Sequence, residues 1–167
     1  PDRLRVTLKP SSATAKPGET LTYDLLALNF FGPPAAGRNW EFEGTFDNLP
    51  YKSKAFAEFR FADDATKAYS ADPVVFTGET DEGGKATIRF PIPRQLFSPG
   101  ILRARGRVAV FDESGRPVYQ IGQTLVYPRD YFIGVRYQGA YYVSPNTPQK
   151  AKTAAVDARA RTAARTT

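Results

Sequence analysis

The 167 residues include no cysteine and no histidine. Without thiols there is no disulfide framework and no thiolate metal site. Without imidazole the commonest general base and the usual zinc ligand are missing too. No catalytic, cofactor-binding or metal-ligating residue is assigned, no cofactor is expected, and an enzyme is the least favoured class. Long apolar runs are also absent. Nothing approaches the roughly 20 apolar residues that cross a bilayer as a helix, so direct membrane insertion is not expected. Pro1-Asp2-Arg3-Leu4-Arg5 leads into no apolar stretch of the signal-peptide kind, so this fragment carries no address of its own. Before position 130 no segment keeps a helical period.

What is present suits a packed β domain. Hydrophobic content is 41% and aromatic content 13%, enough to build a core. The length fits one sandwich of ordinary size plus a remainder. Net charge is +6, and most of it sits after Ser144, where Lys150, Lys152, Arg159, Arg161 and Arg165 face only Asp157. The body is nearly balanced. A nucleic-acid binder carries its basic face on the folded part, so no nucleic-acid partner is expected.

Strand periodicity runs along the chain. Leu4, Val6 and Leu8 alternate with polar residues. Leu21 to Phe31 begins with alternation and ends apolar on both faces, which predicts a central strand covered on both sides. Gly32 to Gly37, with two prolines, is a loop. Trp40, Phe42, Gly44 and Phe46 form one inward face, placing Trp40 in the core. Phe56, Phe59 and Phe61 suggest an irregular edge strand, followed by a turn at Asp63 to Lys67. Val74 to Thr77 opens another strand. Ala86, Ile88, Phe90 and Ile92 alternate with polar residues, as do Leu102, Ala104, Gly106, Val108 and Val110. Val118 to Tyr127 returns across the loop Asp112 to Pro117. About seven strands before position 130 predict an all-β fold, an antiparallel immunoglobulin/fibronectin-like sandwich.

The candidate chemistry is sparse. Asp63-Asp64, Asp81-Glu82 and Asp112-Glu113 are the close carboxylates. None has the alternating spacing of a calcium loop, and turn formation accounts for all three. Arg103, Arg105 and Arg107 share one strand face and are expected to pair with Glu41, Glu43 or Glu58 on neighbouring strands. Gly32 to Gly37 lacks the Lys-Ser/Thr pair of a phosphate loop. Tyr131, Phe132, Ile133, Tyr137, Tyr141 and Tyr142 cluster where the sandwich should end. Amphipathic rings suit half-wet interfaces, so these residues are the candidate interdomain contact. Residues 1–129 are read as the sandwich, and 130–167 as a linker and the truncated start of a following β domain.

Several phrases occur in a telling order: Lys16-Pro17-Gly18-Glu19-Thr20-Leu21, then Asn29 to Gly37, then Thr80-Asp81-Glu82-Gly83-Gly84-Lys85-Ala86-Thr87-Ile88. Phe111 to Val118 and Tyr131-Phe132-Ile133-Gly134-Val135 follow. Over about residues 3 to 136 the chain resembles a macroglobulin-type domain of bacterial alpha-2-macroglobulin proteins. The resemblance implies a non-catalytic scaffold module of a protease-trapping inhibitor, periplasmic or at the cell surface. Its partners would be neighbouring domains of the parent and, through the parent, proteases. Such proteins often trap through an internal thioester formed by Cys and Gln. With no cysteine, no thioester residue carries over to this chain. Rival readings are an immunoglobulin-like adhesin or glycan-binding module, with exposed aromatics as its platform, and a hydrolase accessory domain.

Overall fold

Alternating apolar and polar side chains make strands of most of the chain. The computed structural model describes residues 4–138, 148 and 150–158, and the backbone of 164–166. Its strands are β1 (Leu4–Pro10), β2 (Thr14–Ala15), β3 (Thr20–Asn29), β4 (Asn39–Leu49), β5 (Val74–Glu79), β6 (Lys85–Pro91), β7 (Ile101–Phe111) and β8 (Pro117–Val126). Beyond position 130 come β9 (Tyr131–Gln138), β10 (Lys150–Asp157) and β11 (Ala164–Thr166). Among the described residues no helix is long and apolar enough to cross a membrane.

The strands form three sheets, ordered β1-β3-β6, β2-β8-β7-β4-β5 and β11-β10-β9. The first two close the sandwich. Their inward side chains meet in one core that includes Leu21, Tyr23, Leu25, Phe42, Ile88, Phe90, Val108 and Val110. Phe42 lies 5.2 Å from Tyr23 and 5.9 Å from Phe90, ring centre to ring centre. Fully burying each such side chain contributes about 1.5–3 kcal/mol. Trp40 packs half-buried against this core, as its position in the inward face of β4 predicts.

Turn chemistry closes the sandwich ends. The Asp81 carboxylate accepts from the backbone N–H of Gly83 (2.9 Å) and Lys85 (2.8 Å). Gly84 takes φ +71°, and a Cβ there would overlap the Ala27 carbonyl, so the turn admits only glycine. The Asp112 carboxylate accepts from Ser114 N–H (2.8 Å), Ser114 Oγ (2.6 Å) and Arg116 N–H (3.0 Å). These bonds, the Ser114 hydroxyl first, hold Asp112 down to a pKa of about 2.

Two expectations need correction. The second half of β3 is not covered on both sides. Its alternation continues to Asn29, Leu26 and Leu28 are only half-buried, and Phe30 and Phe31 turn out into solvent. Phe56, Phe59 and Phe61 do not form an edge strand of the sandwich. They lie in a turn-rich segment after Leu49 that packs on β9 and β10, and β5 is the edge strand beside β4. Between β1 and β3, which sequence periodicity does predict, the two-residue β2 pairs in parallel with the end of β8.

Candidate interdomain contact surface

Pro128 follows the last β8 residues and cannot donate to a ladder, which fits the end of that strand. The chain then re-enters strand geometry at Tyr131. β9 and β10 pair antiparallel, with Phe132 opposite Val156, Ile133 opposite Ala155, Gly134 opposite Ala154 and Tyr137 opposite Ala151. Side chains alternate, so this register sorts them into two faces.

The inner face carries Phe132, Ala154 and Val156. With Phe61 and Ala158 they make a second core, flanked by Tyr51, Phe56, Phe59, Ile101 and Tyr127. Tyr51 stacks flat on Phe132, centroids 4.0 Å apart and 6° between planes, and meets the edge of Phe61 at 5.1 Å. Burial, with smaller contributions from Tyr127 and Asp157, pushes the Tyr51 phenol above its usual range. The ring therefore stays neutral inside the contact. Gly134 is required because a Cβ would stand 2.6 Å from the Phe61 ring.

Polar groups tie the same segment to both bodies. Arg60 and Val135 exchange two backbone hydrogen bonds of 2.9 Å, adding one residue of the segment to the free edge of β9. Arg136 pairs with Glu58. Arg129, at the β8–β9 junction, donates to Asp63 (3.1 Å) and to the Ser98 carbonyl (2.8 Å). Ser98 Oγ donates to Asn48 Oδ1 (3.0 Å), and Asn48 Nδ2 donates to the Tyr69 carbonyl (2.7 Å). A continuous hydrogen-bonded path thus runs from β4 to the start of β9. The Thr66 hydroxyl, then Arg129, holds the Asp63 carboxyl below its ordinary pKa. The ion pairs are a third or more exposed and contribute little individually. The stacked rings carry most of the contact energy.

The outer face of β9 carries Tyr131, Ile133 and Tyr137, exposed by 62, 68 and 74%. Sequence reasoning placed these three with Phe132 in one contact. The strand's alternation instead commits Phe132 to the contact within the chain and leaves the other three together on the opposite face. Tyr141 and Tyr142 lie outside the described residues. Sequence reasoning missed Tyr51, Phe61, Asp63 and Arg129 as part of the junction. Their only local signal was the density of aromatics between positions 51 and 61.

A cleft of about 1080 Å³ opens beside this contact, lined among others by Tyr51, Phe56, Phe59 and Phe61, with Asn48 and Pro99 at the sandwich. No reactive set converges in it. Among the described residues no group of three or more Asp or Glu side chains could hold a metal ion. On the open face of β7, Arg103 pairs with Asp47 (2.8 Å), and Arg107 lies 4.6 Å over the Tyr119 ring. Those partners replace the glutamates expected from sequence. Glu58 is engaged by Arg136 instead.

A three-stranded sheet facing a five-stranded one across a single core is the architecture of an immunoglobulin-like β-sandwich. The family model for the bacterial alpha-2-macroglobulin MG5 domain matches residues 2–128, and the chain belongs to that family. Trypsin-activated alpha-2-macroglobulin from Escherichia coli is 18% identical, with a TM-score of 0.67, over 95% of this chain and 12% of its own. The Escherichia coli protein activated by porcine elastase is 19% identical, TM-score 0.68, over 95% of this chain and 14% of its own. Salmonella alpha-2-macroglobulin reacted with methylamine is 20% identical, TM-score 0.66, over 96% of this chain and 11% of its own. At such identities the likeness speaks for the fold. The chain spans 11–14% of the length of these proteins. No curated protein sequence matches it.

Proposed function

We propose that the chain is a non-catalytic scaffold domain of a bacterial alpha-2-macroglobulin that traps proteases outside the cytoplasm, in the periplasm or at the cell surface. The observation that carries this reading is the MG5 family match over residues 2–128. Residues 1–129 form the scaffold sandwich, and 130–167 link it to, and open, the next β domain. The stacked Tyr51–Phe132 pair and the Asn48–Ser98–Arg129 path hold that connection at one angle. Tyr131, Ile133 and Tyr137 give this opening sheet an outward apolar face for an interdomain contact, to which Tyr141 and Tyr142, a few residues on in the sequence, would add. The chain has no imidazole or thiol with which to react, so its contribution to trapping is shape, rigidity and interfaces.

The test uses the parent protein. It is mixed with trypsin or elastase and run on a sizing column under native conditions. Protease that co-elutes with the parent while still cleaving small peptide substrates supports the reading. Protease that elutes free after cutting the parent overturns it.

A further inference from the structure

The β3–β4 loop presents two phenylalanines to solvent. Phe30 is 65% exposed and Phe31 92%, and their rings meet edge to face at 5.3 Å. Mobile loop tips are usually small and polar. This one is apolar and braced. Asn29 N–H donates to the Pro33 carbonyl (2.8 Å), Gly32 N–H to the Asn29 carbonyl (2.9 Å), and Ala35 N–H to the Ala27 carbonyl (3.0 Å). Asn29 Nδ2 donates to the Pro34 carbonyl (3.1 Å). These bonds, with those that Ala35, Gly37 and Arg38 make to Thr80, brace the loop and hold the rings outward, ready to be covered.

Two observations say what covers them. The first is position. Leu4 pairs with Asn29, so the chain enters the sandwich beside the two rings. It leaves after Val126, at the opposite end, where Leu49 pairs with Ile101. A domain joined ahead of Leu4 would meet the sandwich at the Phe30–Phe31 end. The exit end of this sandwich carries an aromatic cleft lined by Tyr51, Phe56 and Phe59, and a preceding sandwich of the same build would turn its own exit end toward the two rings. The second is charge. The two neighbouring turns carry Asp81, Glu82, Asp112 and Glu113 against Lys85 and Arg116. The exposed Arg5 and the loop's own Arg38, which pairs with Glu113, bring the positive side only to balance, so this end lacks the basic excess that a loop dipping into anionic lipid draws on.

We propose that Phe30 and Phe31 form a plug seated in an apolar pocket of the domain that precedes this one in the parent protein. The inference rests on the tandem-domain reading above and adds a second, entrance-side joint to the exit-side one. The test places the photoreactive p-benzoylphenylalanine at position 31 of the full-length parent, irradiates it, and maps the adducts by mass spectrometry. Adducts confined to the same polypeptide, ahead of Leu4, are expected. In the parent, residues 29–36 should also exchange amide hydrogen more slowly than in the 167-residue chain. The paired substitutions Phe30→Ser and Phe31→Ser should abolish that difference. Adducts to lipid or to a second molecule, or no adduct at all, overturn the plug. A parent that retains protease without the adduct sinks the plug alone. A parent that forms the adduct but retains no protease sinks the trapping role alone.

Discussion

Substituting Phe132→Ala should free the β9–β10 sheet while leaving the sandwich intact. Phe132 is 3% exposed and stacks at 4.0 Å on Tyr51, and the rest of its face is small, Ala154, Val156 and Ala158. It belongs to the second core and has no place in the sandwich core around Tyr23, Phe42 and Phe90. Truncating a buried phenylalanine costs about 3–5 kcal/mol. At about 1.4 kcal/mol per decade that raises local opening by about 10²–10⁴. Hydrogen exchange followed by mass spectrometry should show this loss of protection at Arg60, along β9 and along β10. The amides of β3 and β7, deep in the sandwich sheets, should keep wild-type rates. Phe42→Ala is the contrasting control and should lower protection throughout the sandwich. The reasoning fails if Phe132→Ala lowers protection in β3 and β7 in step with β9, because the two cores would then unfold as one unit.

Gly134→Ala should reproduce the Phe132→Ala exchange pattern, since the new methyl would force the Phe61 ring away from β9. Asp112 has its folded pKa lowered from 3.8 to about 2, so its contribution is fully present above pH 4 and is lost as pH falls toward 2. Thermal melts of Asp112→Asn and the unaltered chain should therefore differ at pH 6 and converge near pH 2. Burial pushes the Tyr23 phenol from 10.0 up to about 12, a rise that the Thr124 side chain beside it partly offsets, and the hydroxyl makes no well-formed hydrogen bond. The raised value means stability is complete below pH 10 and falls between pH 10 and 12. Tyr23→Phe should flatten that alkaline loss. At neutral pH it should be neutral or stabilising by about 1 kcal/mol, read from denaturant titrations.

Strands with an unbroken two-residue period were legible in the sequence. β1, β6 and β7 bury the side chains that their alternation predicts. The turns at Asp81 and Asp112 were legible because acidic and glycine residues close chain reversals by local hydrogen bonds. Phe30 and Phe31 misled because apolarity in sequence does not reveal which side a turn faces. Phe56, Phe59 and Phe61 misled for a different reason. Their partner, Phe132, lies more than 70 residues along the chain, and no local period reports a contact at that range. The Arg103 partner was missed because register sets it opposite Asp47, a pairing that composition alone does not fix. At the junction, the aromatics of β9 were visible from sequence, but their division between two faces needed the ladder with β10.

The absence of cysteine supplies the means for the most direct test of a rigid connection. Glu41→Cys on β4 and Lys152→Cys on β10 would be the chain's only thiols, and both sites are exposed. Spin labels at the two positions report the distance between sandwich and following sheet by pulsed electron resonance. A single narrow distance distribution, broadened when Phe132→Ala is added, is the predicted result. A broad distribution in the unaltered background, or one equally narrow with Phe132→Ala, would contradict the account.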